Sequence, residues 1–376
     1  MTHPGLLWTL LSFVLVIAPL IFLHELGHYL VARAFGVKAD IFSIGFGREV
    51  AGWSDRRGTR WKIGWLPLGG YVKFAGDMNA ASQPSDDWLM MPAAERARTF
   101  AVKPVWQRFL IVAAGPFTNF LVAIVVIATF VMIAGDYVTP AVIDKVEAKS
   151  AAAEAGLQRG DRITRLDGRG VANFEDFRVM LMVREGGPAR VDIFRQGRPM
   201  TVTARLKMVV DRDPFGNQMR HAVLGVYPVR GAVRSVSLIT AGAIGIRQTK
   251  ASIAITMQAL GQIVTGARSF KELGGPVRTA RLSGEQTSLG PLGYLNWLVI
   301  VSINLGFINL LPIPMLDGGH LLFYAIEAVR RRPLKPEAQE WAFRTGLAAL
   351  LVLMIFVTIN DLASFGLWSK LGGLIG

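Results

Sequence analysis

Ile21-Phe22-Leu23-His24-Glu25-Leu26-Gly27-His28-Tyr29-Leu30 lies inside an apolar run that extends from about Leu6 to Ala34. On a helix, His24 and His28 stand one turn apart on the same face, so two imidazoles can bind one metal ion. Glu25 is rotated about 100° from His24 and can sit beside that metal as a base without being a ligand. The run exceeds the roughly 20 residues needed to cross a bilayer, so tilt or a protruding end is expected. An ionisable triplet there costs several kcal/mol and is a functional candidate by default. The alternative is a pair of core histidines hydrogen-bonded to neighbouring helices, which leaves Glu25 without a purpose.

Composition supports a membrane setting. Hydrophobic residues make up 52% of the 376, and mean hydropathy is +0.39, a polytopic membrane signature. The net charge of +14 does not point to nucleic acid, because the basic residues flank apolar spans instead of gathering on one soluble module. Membrane lipids are the better partner for that charge. His-Glu-x-x-His is a zinc-peptidase spacing. With no Cys in the chain, Zn²⁺ has to be held by His and carboxylate. The N-terminus does not read as a cleavable signal peptide: no Lys or Arg precedes the run, the run is too long, and it carries the proposed ligands.

Read in order, residues 1–136 form the first part of a membrane core, with spans over about 6–34 and 109–134. Between them, Ile41–Val50, Thr59–Trp65 and Tyr71–Phe74 read as short strands, with Asp55-Arg56-Arg57-Gly58 as a turn. Ile63-Gly64-Trp65-Leu66-Pro67-Leu68-Gly69-Gly70 is too apolar for an ordinary loop and too broken for a helix. Non-helical backbone at membrane depth is tolerated only against protein or a cavity, so a re-entrant β hairpin over about 41–76 is expected beside the metal, with a plain cytoplasmic hairpin as the alternative. Asn79–Lys103 suggests a surface-lying segment. In the second span, Gly115-Pro116 and Asn119 are of the kind that pack helix on helix; Asn119 either reaches the active site or makes an interhelical hydrogen bond.

Residues 137–230 read as a soluble α+β domain and the strand region that follows it. Strands at Ala141–Val146, Ile163–Leu166, Ala189–Phe194 and Thr201–Leu206 surround a helix at Phe174–Arg184. Ser150–Asp161 has the small-residue helix and Gly-Leu…Gly-Asp turn of bacterial PDZ domains, which bind extended peptide ends by strand addition. Residues 231–290 carry an amphipathic helix over Val236–Thr265, read as lying at the interface on the PDZ side with a spanning helix as the alternative, then a break at Gly274-Gly275-Pro276 and a short helix over Val277–Leu282. Residues 291–376 complete the core, with spans over about 292–326, interrupted by Pro312 and Pro314, and 343–364. Lys and Arg crowd the loops between spans one and two and between spans three and four. Both loops are therefore expected in the cytoplasm, with both termini and the PDZ domain on the outer side.

Two imidazoles and a water leave one zinc position, usually filled by His, Glu or Asp. Asp317, in Asn309-Leu310-Leu311-Pro312-Ile313-Pro314-Met315-Leu316-Asp317-Gly318-Gly319-His320, is the best candidate, because a lone carboxylate in an apolar span needs a partner. The alternative is that Asp317 caps the helix resuming at Gly318. On these two motifs, with the Gly-Pro…Asn of span two, the Gly-rich hairpin and the inserted PDZ domain, the chain resembles the site-2 protease family, specifically its bacterial RseP-type branch.

The resemblance implies a polytopic α-helical membrane protein of the inner membrane: four transmembrane helices, a re-entrant β hairpin and one inserted PDZ domain. It implies zinc held by His24, His28 and Asp317, with Glu25 as general base and acid. Cleavage falls within the spanning segment of single-pass membrane proteins, typically anti-sigma factors already trimmed outside and remnant signal peptides. Some relatives carry two PDZ domains; the single one here puts a two-domain size filter in doubt. Asn304 and Asn309 are candidates for hydrogen-bonding substrate backbone or the oxyanion, with helix packing as the alternative. Tyr71, Val72, Lys73 and Phe74 are candidates for β-augmentation of an unwound substrate. His320 reads as a structural histidine or a support of the metal shell. The rival from another class is a non-catalytic zinc-binding scaffold that recruits partners through its PDZ domain.

Overall fold

A computed structural model of the chain describes residues 5–76, 91–182, 184, 186–212, 218–266, 269 and 274–364. Its elements begin with α1 (Leu6–Ala34), β1 (Ala39–Ser54), β2 (Arg60–Phe74), α2 (Ala93–Arg96) and α3 (Val105–Ala134). Next come β3 (Asp136–Val138), β4 (Ile143–Val146), α4 (Ala151–Glu154), β5 (Arg162–Leu166), β6 (Arg169–Gly170) and α5 (Phe174–Met182). Strands β7 (Gly187–Arg195), β8 (Arg198–Arg212), β9 (Gln218–Val223), β10 (Val226–Pro228) and β11 (Ala232–Arg234) follow. The chain continues through α6 (Leu238–Val264), α7 (Pro276–Ser288), α8 (Pro291–Asn309), α9 (Asp317–Arg330) and α10 (Pro336–Ser364). These elements form two compact units, Met1–Thr129 with Ala241–Gly376, and Phe130–Thr240.

In the first unit α1, α3, α8 and α10 are, among the described residues, the four helices long and apolar enough to cross a membrane. In lipid such helices associate by close packing, since the surroundings are as apolar as leucine. Val16 and Leu20 of α1 are fully buried with Leu298 and Val301 of α8, and Val122 and Val126 of α3 pack alongside. Gly27 lets α1 approach α3 closely: a Cβ there would lie 2.3 Å from Thr118 Oγ1. Pro19 inside α1 frees the carbonyl four residues back, that of Leu15, and the Tyr294 hydroxyl of α8 donates to it at 3.3 Å. Asp361 of α10 is buried and accepts from the backbone N–H of Gly275 at 3.0 Å and of Arg278 at 2.9 Å. It thereby satisfies first-turn donors of α7 that have no partner within their own helix.

Several sequence expectations need correction. The span expected over about 292–326 is two helices: α8 stops at Asn309 and α9 starts at Asp317. Pro312 and Pro314 supply no backbone N–H, and Met315 takes a φ of +83°, so Leu310–Leu316 cannot continue the helix. The three short strands are two long ones with repeated register shifts. Ile41–Ile44 pair with Gly70–Lys73 in opposite directions and with Arg60–Ile63 in step, while Ala51–Ser54 return along Arg60–Ile63. The run of Gly64, Gly69 and Gly70 permits this doubling back: a Cβ on Gly64 would meet Phe46 O at 2.5 Å. Helices α3 and α10 start earlier than expected, and α7 is a 13-residue helix in place of a short one. The surface segment expected over Asn79–Lys103 lies outside the described residues up to residue 90.

The doubled hairpin packs on the helices. Phe42, Val72 and Phe74 form one buried cluster with Tyr29 and Ala32 of α1, Ile111 of α3 and Tyr324 of α9.

The second unit is built on a five-stranded antiparallel sheet of order β6-β5-β7-β8-β9. Strand β7 alternates as a one-faced strand must: Ala189, Val191 and Ile193 are buried against Phe177 and Leu181 of α5. Ser150 caps α4 by accepting from Ala153 N at 3.2 Å, and Asn173 Oδ1 accepts from Asp176 N at 2.8 Å at the start of α5. Gly156 and Gly160 take φ of +73° and +91°, the left-handed backbone that favours glycine, which explains the Gly-Leu…Gly-Asp spelling of the turn. Asp161 closes that turn, 1% exposed, accepting from Gln158 N at 2.8 Å and from both prongs of Arg195 at 2.7 Å.

Candidate active site

Two separate pieces of chain meet at one point. His24 Nε2 and His28 Nε2 are 3.3 Å apart. Asp317 Oδ2 lies 3.1 Å from His24 Nε2, and Asp317 Oδ1 lies 3.5 Å from His28 Nε2. Asp317 is the first residue of α9, while the N-cap position is Leu316 and makes no side-chain cap. Capping therefore does not account for this carboxylate, and the broken span does: the turn at Leu310–Leu316 brings the start of α9 to the middle of α1.

The donor set fits a zinc ion. Tetrahedral zinc with bonds of about 2.0–2.2 Å places its ligand atoms roughly 3.3–3.5 Å apart, close to the separations here. Among the described residues this is the group of His and carboxylate ligand atoms within 4.8 Å of one another. The ring nitrogens facing away from the site are also held. His28 Nδ1 lies 2.9 Å from Ile111 O, so it carries the proton and leaves Nε2 free as a ligand. His24 Nδ1 lies 3.1 Å from Asn119 Nδ2, and Asn119 Oδ1 is buried without a partner. Turning the Asn119 amide over satisfies both: Oδ1 accepts from His24 Nδ1–H, and His24 Nε2 is then a free ligand. Asn119 is fully buried, and its own backbone O accepts from Ser302 Oγ at 2.8 Å, tying α3 to α8 behind the histidine.

Glycines set the walls. A Cβ on Gly115 would lie 2.2 Å from His28 Nε2, so only glycine lets α3 pass the imidazole. A Cβ on Gly70 would lie 2.9 Å from Glu25 Cγ and 2.8 Å from Ile21 Cγ2. Strand β2 therefore passes directly beside the proposed base.

Among the other candidates, Val72 and Phe74 point into the core and Phe74 stacks on Phe100. Tyr71 stacks on Phe46 at 6.1 Å with Lys62 over its ring, and Lys73 is half-buried. Gly70–Phe74 pair on one side with β1, and no described strand pairs with the other side. Asn304 is turned to helix packing: its Oδ1 accepts from Thr256 Oγ1 of α6 at 3.2 Å. Asn309 is half-buried at the C-terminal end of α8. His320 packs its ring against Phe343 at 5.0 Å and Tyr324 at 6.4 Å. Sequence reasoning missed Ile111, whose contribution is a backbone carbonyl. It also missed the roles of Gly70 and Gly115, although Gly115 sits four residues before Asn119 on one helical face.

Comparison with known proteins agrees with this chemistry. The family model described as "Peptidase family M50" matches residues 12–353. "Putative zinc metalloprotease Atu1380" of Agrobacterium fabrum is 43% identical, covering 94% of this chain and 96% of that protein. "Metalloprotease MmpA" of Caulobacter vibrioides is 36% identical, covering 98% of this chain and 99% of that one. Among solved structures, the PDZ domain of an SdrC-like protein from Listeria monocytogenes is 21% identical over 26% of this chain and 88% of that chain, with a TM-score of 0.19. A match that runs nearly end to end, over both halves of a two-histidine, one-carboxylate centre, means that the chain belongs to peptidase family M50 and is a zinc metalloprotease.

Proposed function

We propose that this protease cuts single-pass membrane proteins within or near their spanning segment, anti-sigma factors after a first cut and remnant signal peptides being the substrate type. The observation that carries the reading is that Gly70–Phe74 runs past Glu25 with one edge that no described strand pairs with. A substrate helix hides its carbonyls in its own hydrogen bonds and must unwind to be cut. The exposed strand then needs replacement partners, and an unpaired sheet edge offers them. The four apolar helices span the inner membrane, with the basic loops in the cytoplasm and both termini and the second unit in the periplasm. The second unit acts as a PDZ domain, obstructing bulky ectodomains or taking a peptide end.

His24, His28 and Asp317 would hold a zinc ion, which would supply Lewis acidity at this point. Glu25 takes the proton of the attacking water and delivers it to the leaving amine nitrogen. Asn309, at the end of α8, is the candidate donor to substrate backbone.

The test uses detergent-purified protein and its Glu25→Gln variant with a tagged single-pass substrate, the products mapped by mass spectrometry. The parent should cut inside the apolar segment, while Glu25→Gln retains zinc and leaves the substrate whole. Cuts confined to soluble loops would overturn the substrate assignment. Equal product from both proteins would remove Glu25 from the chemistry.

A further inference from the structure

We infer that the ion pair between Arg108 and Glu327 is a positioning device for the metal centre, setting the rotation of α9 and so the placement of Asp317. Arg108 Nη2 donates to Glu327 Oε1 at 2.7 Å, with side chains 17% and 15% exposed. The same guanidinium lies 5.0 Å from the centroid of the Tyr324 ring, and its Nε donates to Lys103 O at 3.0 Å. Tyr324 belongs to the buried cluster that joins α1, α3, α9 and the hairpin.

Neither charge stands where its own helix favours it. Arg108 is in the first turn of α3, at the partial positive end, and Glu327 is in the last turn of α9, at the partial negative end. Each is disfavoured alone, so the arrangement answers to the partner across the interface. The faces involved are those that build the site. On α3, Arg108, Ile111, Gly115 and Asn119 recur at helical spacing, and the last three hold the backs and sides of the imidazoles. On α9, Asp317, His320, Tyr324 and Glu327 recur likewise. The pair thus ties these faces together about 15 Å along α9 from the ligand.

That tie is needed because α8 cannot orient α9 through the non-helical Leu310–Leu316. The near end of α9 is fixed by close backbone contact, a Cβ on Gly318 lying 2.2 Å from Leu311 O. Tyr324 and His320 pack the middle of α9, and the ion pair adds a charged contact about one turn further along that resists rotation of the helix.

The experiment purifies Arg108→Gln, Glu327→Gln and the exchanged Arg108→Glu/Glu327→Arg, with Arg108→Lys as the conservative variant. Metal affinity is read by chelator competition, and geometry by the visible spectrum of the Co²⁺-substituted protein. Each Gln variant should bind metal about tenfold more weakly, the low end for outer-shell changes, and shift the Co²⁺ bands. The exchange should recover part of the loss: it restores the pairing with charges that suit both helix ends, but gives up the guanidinium's contacts with the Tyr324 ring and Lys103 O. Folded variants with a lowered melting temperature but parental affinity and spectrum would overturn the proposal, leaving the pair a packing feature. So would an exchange no better than the single changes. Both readouts work without substrate, so failure here leaves the substrate assignment untouched.

Discussion

Gly70 lies against Glu25: the strand edge and the proposed base touch where any side chain on residue 70 would intrude, its Cβ 2.9 Å from Glu25 Cγ and 2.8 Å from Ser43 O. Hydrogen-bonding edge and proton carrier are therefore held in one relation by the absence of a side chain. Gly70→Val should cost about 100-fold in turnover, the scale of a 1 Å misplacement at a reacting centre. Bound zinc should stay at the parental level, because no ligand touches residue 70. Assaying cleavage and metal content on the same preparation checks this, and wild-type turnover would show that the edge is not part of the machinery.

Proline along Tyr71–Phe74 tests whether the edge receives a substrate strand. Strand N–H groups alternate in direction, so proline removes either an outward donor or a bond to β1. Positions with an outward N–H should lose cleavage while keeping zinc and the melting temperature. A scan in which only misfolded variants lose activity would argue for a purely structural sheet.

Asn119 orients His24, so its replacements should separate by hydrogen-bonding capacity. Asn119→Leu should weaken zinc binding about 10- to 100-fold, as expected for loss of a partner behind a ligating histidine. Asn119→Asp keeps an acceptor for His24 Nδ1–H and should stay near parental affinity. Chelator competition distinguishes the two, and equal affinities would contradict the orienting role.

The second unit should be acid-sensitive through Asp161. Burial pushes its carboxyl up, but hydrogen bonds from Arg195 and Gln158 N–H, with the Arg195 charge, outweigh burial and hold it below the ordinary range. A group with a lowered folded pKa stabilises the fold above its unfolded value of about 3.9 and loses that contribution as pH falls through the folded value. Arg195→Met strands a buried carboxylate and should cost about 3 kcal/mol at pH 7, at the low end because Arg195 is 21% exposed. The gap between variant and parent melting curves should shrink as pH falls, starting where the variant's carboxyl, left with burial alone, takes up its proton and ending only once the parent's carboxyl, held below the ordinary range, does so too. A gap that persists unchanged into acid would assign the effect to lost packing.

What the sequence determined by itself is local and periodic. The apolar runs, the one-turn spacing of His24 and His28, and the turn glycines of the second unit depend only on neighbours within a few residues. Each is legible because helix and turn geometry repeat at known intervals. Asp317 was also legible as a candidate ligand, since a solitary carboxylate in an apolar stretch demands a partner, but the splitting of its span into α8 and α9 was not. Tertiary structure alone decided the doubled register of the hairpin, the closeness of Gly70 to Glu25 and the grip of Ile111 and Asn119 on the two imidazoles. It also turned Asn304 to helix packing with Thr256. Those relations join residues up to 95 positions apart, and two of them rest on a backbone carbonyl and a missing Cβ, neither of which marks itself in a string of side chains.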